Sequence, residues 1–185
     1  MVTAQNDIII YVMRQDDDLH SHQRLLMCAA DYTALPISTF RREQQEGQKP
    51  RLVGGPELHF SVSHSGDYWV CAFGGQPVGL DLQQHRPCRA EALACRFFHP
   101  EEIAWLKEQN FSPEAFYRIW TAKESFVKWN GRGFGEGFST FSVAGSSPHL
   151  RHLSFVEGYT LCLCSDQIGQ VVLKHFHFTD GGSLL

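Results

Sequence analysis

Two periods of apolar residues run through the chain. Residues 8–13 form an unbroken, mostly β-branched apolar stretch and predict a strand buried on both faces. Residues 58–63 alternate with period two and predict a strand, which His64-Ser65-Gly66-Asp67 punctuates. Residues 68–73 predict a second strand, Gly74-Gly75 a turn, and residues 78–82 a third strand. Residues 20–32 repeat at helical spacing, with Leu25, Leu26 and Ala29 on one face. Asp16, Asp17 and Asp18 offer caps for that helix, and Leu35-Pro36 ends it. A short strand is expected near 40–44, and a loop over 47–56, where three glycines and two prolines fall.

Beyond residue 86 the pattern turns helical. Residues 89–98 read as a helix, and Pro100-Glu101-Glu102 opens another over 100–109. The clearest helix spans 112–129. Ser112 caps it, Pro113 suits its first turn, and Phe116, Ile119, Trp120, Lys123, Glu124 and Val127 recur at helical spacing. The glycines at 131, 133, 135 and 137 close it. Residues 138–143, 153–155, 159–164 and 171–178 predict strands. The fold class is α+β in two halves, residues 1–76 and 77–185, forming a single compact unit. No repeat at a fixed period is visible in the sequence.

Composition narrows the picture. With 43% hydrophobic and 19% charged residues, the 185-residue chain can bury a core, which excludes general disorder. A net charge of −4 argues against general nucleic-acid binding. Residues 8–12 are too short an apolar run for a signal or a membrane span, so no membrane partner is expected and the cytoplasm is the expected location. The six cysteines are scattered without a C-x-x-C pair, so free thiols are expected rather than zinc ligands or disulfides. Ten histidines raise the possibility of a metal-binding protein. His175 and His177 alternate on a predicted strand, but no third ligand accompanies them.

Candidate chemistry gathers in four segments. Glu124 and Lys128 lie four apart and share a helix face, with Lys123 beside them. The plainer reading is a surface ion pair; the alternative is a carboxylate between lysines that serves a metal and a polyphosphate together. Asp81 ends an apolar strand, either as a metal ligand or as a turn former. His64, flanked by Ser63 and Ser65, is either a phosphate donor or a turn histidine. Glu101 and Glu102 are helix-capping acids or a general base.

The order and spacing of these segments resemble the Sfp (surfactin-synthetase-activating) type of the 4′-phosphopantetheinyl transferase superfamily. The residues that carry the resemblance are Ser63 to Gly66, Gly79 to Gln83, Phe97 to Glu102, Trp120 to Lys128 and Gly131 to Gly133, with Gly47-Gln48-Lys49-Pro50 as a looser match. The resemblance implies two similar subdomains in a pseudo-twofold arrangement, with the active site in the cleft between them. It implies transfer of phosphopantetheine from coenzyme A to a serine of an apo acyl or peptidyl carrier protein, the holo-acyl-carrier-protein synthase reaction, with release of adenosine 3′,5′-bisphosphate. Asp81, Gln83 and Glu124 are then the implied magnesium ligands. Lys123 and Lys128 would neutralise the diphosphate. Ser63 and His64 would hold nucleotide phosphates, and Lys49 would lie near the adenine. Glu102, with Glu124 and Lys128, would complete the catalytic set.

Two departures stand out. Gln83 occupies a position where the family usually has glutamate, which implies weaker metal binding. The resemblance leaves the basic N-terminal segment of longer members without an expected counterpart among these residues, and Arg24, with Arg41 or Arg42, is the expected substitute. The implied partners are coenzyme A and a small acidic carrier docking on 86–98, where Arg86, Arg89 and Arg96 mix with Leu93 and Phe97, and the chain is expected to act as a monomer. The competing reading is a catalytically weakened relative that binds coenzyme A or a carrier.

Overall fold

The computed structural model describes residues 6–15, 19–45, 49–131, 137–144 and 149–176. The expected caps at Asp16–Asp18, the glycines at 47, 133 and 135, and His177 lie outside the described residues. The architecture is mixed α+β. Strand β1 (Ile8–Arg14) is followed by helix α1 (Ser21–Thr33), the hairpin strands β2 (Arg41–Glu43) and β3 (Arg51–Val53), then β4 (His59–Ser65), β5 (Tyr68–Gly74) and β6 (Val78–Gln84). Three helices follow: α2 (Ala90–Phe97), α3 (Pro100–Glu108) and α4 (Pro113–Asn130). Strands β7 (Leu150–Leu153), β8 (Tyr159–Ser165) and β9 (Val171–His175) complete the described chain.

The first sheet has the order β4-β5-β1-β9 and the second β6-β8-β7, while β2 and β3 form a small two-stranded sheet. β1 pairs antiparallel with β5 and parallel with β9. β9 therefore pairs in the first sheet although it lies late in the sequence. The unbroken apolar run of β1 follows from burial on both faces. Ile8, Ile10 and Val12 meet Val78, Leu80, Leu82, Leu161 and Leu163 between the sheets. Tyr11 and Met13 face the other way, into a cluster with Leu25, Cys28 and Ala29 of α1. α4 packs on β6 and β8, and a third cluster joins α2, α3 and α4.

The sheets meet at two edge strands, β4 and β6. Leu80 N donates to Ser61 Oγ (2.9 Å), Leu82 N to Ser63 Oγ (3.1 Å) and Gln84 N to Ser65 Oγ (2.9 Å). Residue pairs 61/80, 63/82 and 65/84 share one offset, so the strands run in the same direction. The alternation of β4 puts its serines on one face, where they satisfy buried N–H groups that the second sheet leaves unpaired.

Three sequence expectations change. Residues 51–53, expected as loop, form β3 and pair with β2. The strand expected at 153–155 is β7, a few residues earlier. Residues 138–143, expected as a strand, begin with a 3-10 turn at Phe138–Thr140. The reason is tertiary. Phe138 O and Phe141 O each accept Lys123 Nζ (2.6 Å), and Val143 N donates to Glu102 Oε1 (2.7 Å). A buried ion pair thus takes the hydrogen bonds that a strand partner would supply. All six cysteines are free thiols; Cys28, Cys71, Cys162 and Cys164 are buried, and Cys88 and Cys95 are exposed. Among the described residues no helix is long and apolar enough to cross a membrane.

Gly79 sets the approach of α4 to β6. A Cβ there would lie 1.9 Å from Ser125 O and 2.5 Å from Trp129 N. Gly79→Ala is expected to cost about 3 kcal/mol or more, at the upper end of overpacking effects, and a denaturant titration of the variant checks this.

Candidate active site

A cavity of about 690 Å³ opens between elements of both sequence halves. His20, Ser21, His22 and Leu25 of the α1 region line it, with Arg42 of β2, Lys49 and Pro50. Phe60, Ser61, Val62 and His64 of β4 add a wall. Glu124, Val127, Lys128 and Gly131 come from the end of α4. Its charged groups are mainly basic and its floor is apolar, which suits a polyanion carrying an organic tail.

Asp81 sits behind this wall, 2% exposed. Lys128 Nζ contacts its Oδ1 at 2.7 Å and donates to Leu80 O at 3.0 Å. Ser63 Oγ donates to Oδ1 at 2.8 Å, and Gln83 Nε2 to Oδ2 at 3.2 Å. Glu124 is one helical turn before Lys128, as the sequence spacing requires. Burial, then repulsion by Asp81, push the Glu124 carboxyl up to about 7, and Lys128 only partly opposes this. Glu124 has no hydrogen-bond partner among the described residues. Lys128 is thus the ammonium that contacts Asp81 and lies one turn from Glu124.

Lys49 also reaches the cavity. Its Nζ donates to Val78 O (2.8 Å) and Lys128 O (3.0 Å), tying the start of β6 to the end of α4. Burial lowers its pKa to about 8. His64 is an exposed cavity residue.

Four expected site residues lie elsewhere or are otherwise engaged. Glu102 is fully buried and does not line the cavity. Its Oε2 accepts His99 N (2.9 Å), and its Oε1 accepts Val143 N (2.7 Å) and Lys123 Nζ (2.8 Å). This is the capping role at the start of α3. A base must reach the proton it takes, so Glu102 is corrected to a structural residue. Lys123 is its equally buried partner, with Nζ 4.2 Å from the Phe141 ring centroid, and burial lowers its pKa. Arg24 is 2% exposed and holds Leu19 O and Arg14 O, so it fastens α1 to β1 and is neither a solvated face nor a phosphate ligand. Ser63 spends its hydroxyl on Asp81 and Leu82 N, which removes it as a phosphate donor; Ser65 is likewise bonded to Gln84 N.

Sequence reasoning missed His20, Ser21 and His22. Their rings at 20 and 22 stack 5.9 Å apart at the head of α1. The only available signal was the His-Ser-His spacing, which carries no direction without the fold. Of the three arginines expected to act together, Arg24 with Arg41 or Arg42, it is Arg42 that lines the cavity.

A mixed α+β fold whose cavity presents Lys49, Lys128 and Arg42, with Asp81 and Glu124 nearby, defines a protein with a largely basic cleft. The comparisons give the particular family. The model of the 4′-phosphopantetheinyl transferase superfamily matches residues 77–174, and the chain belongs to that superfamily. It is 39% identical over 111 residues to the 4′-phosphopantetheinyl transferase Sfp of Bacillus subtilis strain 168, covering 59% of this chain and 49% of that protein. It is 36% identical over 112 residues to psf-1 of Bacillus pumilus, covering 60% and 48%. With AcpT of Salmonella typhimurium the identity is 34% over 124 residues, covering 64% and 62%. The chain spans about half the length of the curated relatives it matches.

Two predictions come from this geometry. In buffer free of divalent cations, Glu124 contributes a loss of stability as pH rises, because its folded pKa lies above the unfolded value. The loss begins near the unfolded value of 4.5 and is complete above about 7. Replacing it by glutamine is expected to remove up to about 3 kcal/mol of that pH dependence, read by melts of both proteins between pH 5 and 8. Glu102→Gln and Lys123→Met each strand a buried partner and are expected to cost about 3–5 kcal/mol, measured by chemical denaturation.

Proposed function

We propose that this chain transfers 4′-phosphopantetheine from coenzyme A to a serine of an apo acyl or peptidyl carrier protein, releasing adenosine 3′,5′-bisphosphate. The observation that carries the reading is the buried Asp81 held at 2.7 Å by Lys128, one helical turn from Glu124, at the wall of a cavity that also presents Lys49, Arg42 and His64. Family membership and the activity for which the relatives are named support it.

The residues fit a divalent cation by their chemistry: the carboxylate oxygens of Asp81 and Glu124, the latter without a hydrogen-bond partner among the described residues. Among the described residues no group of three His, Cys, Asp or Glu side chains is suited to a metal. Asp81 and Glu124 would hold magnesium, with substrate phosphate and water completing its shell. When bound, magnesium polarises the diphosphate and stabilises the leaving nucleotide. Lys128 would shift its charge toward the diphosphate, and Lys49 would support the cavity from the β6 side. His64 and Arg42 would face the nucleotide phosphates, and the apolar floor of Leu25, Phe60 and Val127 would exclude water. The carrier serine's oxygen bonds to the pantetheine phosphorus as the bond to the bisphosphate breaks, and the serine proton passes to water or to the released bisphosphate. Gln83, directed at Asp81 through its nitrogen, would be a neighbour of the ligands.

The cavity would be the cleft between halves 1–76 and 77–185, arranged as pseudo-twofold relatives with β9 reaching across. The carrier would dock on α2 and its approach, where Arg86, Arg89, Arg96 and Phe97 are exposed and Arg96 lies over the Phe97 ring. Gln83 in the usual glutamate position favours the second reading, a weakened relative that binds without transfer.

The test incubates the chain with magnesium, coenzyme A and a panel of apo carriers, and weighs the carriers. A gain of the phosphopantetheine mass is expected. Glu124→Gln should reduce the rate by at least about a hundredfold, as for loss of transition-state charge stabilisation. Coenzyme A binding with no mass gain on any carrier overturns the transferase reading in favour of the second.

A further inference from the structure

We propose that Ser63 is a positioning residue for Asp81, orienting its carboxylate so that one lone pair of Oδ2 is left for a divalent cation. The inference rests on the transferase reading. A hydroxyl has one proton to give. Ser63 Oγ accepts Leu82 N at 3.1 Å, and its proton goes to Asp81 Oδ1 at 2.8 Å. Lys128 Nζ takes the second position on Oδ1 at 2.7 Å, and Gln83 Nε2 one position on Oδ2 at 3.2 Å. The amide must present nitrogen here, because its oxygen would face a carboxylate oxygen. Among the described residues three of about four acceptor positions are thus filled, and the one left is on Oδ2.

The backbone enforces this arrangement. Rungs at Ser61/Leu80 and Ser65/Gln84 flank the Ser63/Leu82 rung, so Ser63 cannot move along the strand relative to Asp81. Ser63 is only 6% exposed, which leaves its hydroxyl no second direction. Groups that orient metal ligands typically change metal affinity by 10–100-fold when removed. Ser63 acts through Asp81 and does not touch substrate.

The test uses the full chain and Mn²⁺ as probe, followed by electron paramagnetic resonance, with coenzyme A affinity measured separately without metal. Ser63→Ala is expected to weaken Mn²⁺ binding about tenfold or more and to leave metal-free coenzyme A affinity unchanged. Ser63→Cys, which keeps the shape and a weak donor, is expected to lose less. Ser65→Ala removes a rung without touching Asp81, and is expected to lower the melting temperature while Mn²⁺ affinity holds. Equal Mn²⁺ loss in Ser63→Ala and Ser65→Ala overturns the inference, as does a loss of metal-free coenzyme A affinity in Ser63→Ala or unchanged Mn²⁺ binding in it. If the unaltered chain binds no Mn²⁺ at all, the metal reading of the site fails first and takes the inference with it.

Discussion

The contact between β4 and β6 governs the rest of the structure. Both are edge strands, and joining two sheets there buries backbone N–H groups that no carbonyl ladder reaches. Three serine hydroxyls at alternate positions satisfy them. A hydroxyl is short and accepts along a narrow range of directions, so the ladder sets the axial position of β6 against β4. Asp81 falls between two rungs, and the middle serine both holds the strand and orients the carboxylate. Stability and site geometry therefore share one device.

Helix α4 carries the second division of labour. Lys123 and Lys128 are five positions apart, which at 3.6 residues per turn points them in different directions. Lys123 enters the helical core and is neutralised by Glu102, while its ammonium organises the carbonyls of Phe138 and Phe141. Lys128 shares a face with Glu124 and turns to β6. The missing side chain of Gly79 lets the helix backbone lie against the strand, and without that approach Lys128 would not reach Leu80 O and Asp81 together. One stretch of sequence thus builds both the support of the site and its charged wall.

The cavity combines elements remote in sequence. The head of α1 supplies His20 and His22, β2 supplies Arg42, β4 supplies Phe60 and His64, and α4 supplies Glu124 and Lys128. Lys49 joins the halves by donating to carbonyls of both β6 and α4. The carboxylate pair remains electrostatically unfinished: burial and then repulsion by Asp81 raise Glu124, and Lys128 only partly opposes this. Such an imbalance is costly in a fold and is expected where a ligand supplies the balance.

Local pattern alone placed β1, α1, the β4–β5–β6 series and helices α2 to α4, because alternation, helical spacing and caps act within a few residues. The Ser-His-Ser-Gly, Gly-Leu-Asp and Trp-x-x-Lys-Glu-x-x-x-Lys segments pointed to the family for the same reason, and Asp81, Glu124 and Lys128 could be named from them. What spacing could not assign was direction. Glu102 and Lys123 lie in the same segments as site residues, yet their partners are each other and the backbone at 138–143, far along the chain. Arg24 was expected to stand in for a basic phosphate-holding segment, and only the packing of α1 on β1 turns it inward. Ser63 looked like a phosphate donor until β6 came alongside and claimed its hydroxyl at both ends. A side chain's chemistry is written in its own residue, but its partner is chosen by the strand or helix that folds against it, and that choice exists only in three dimensions.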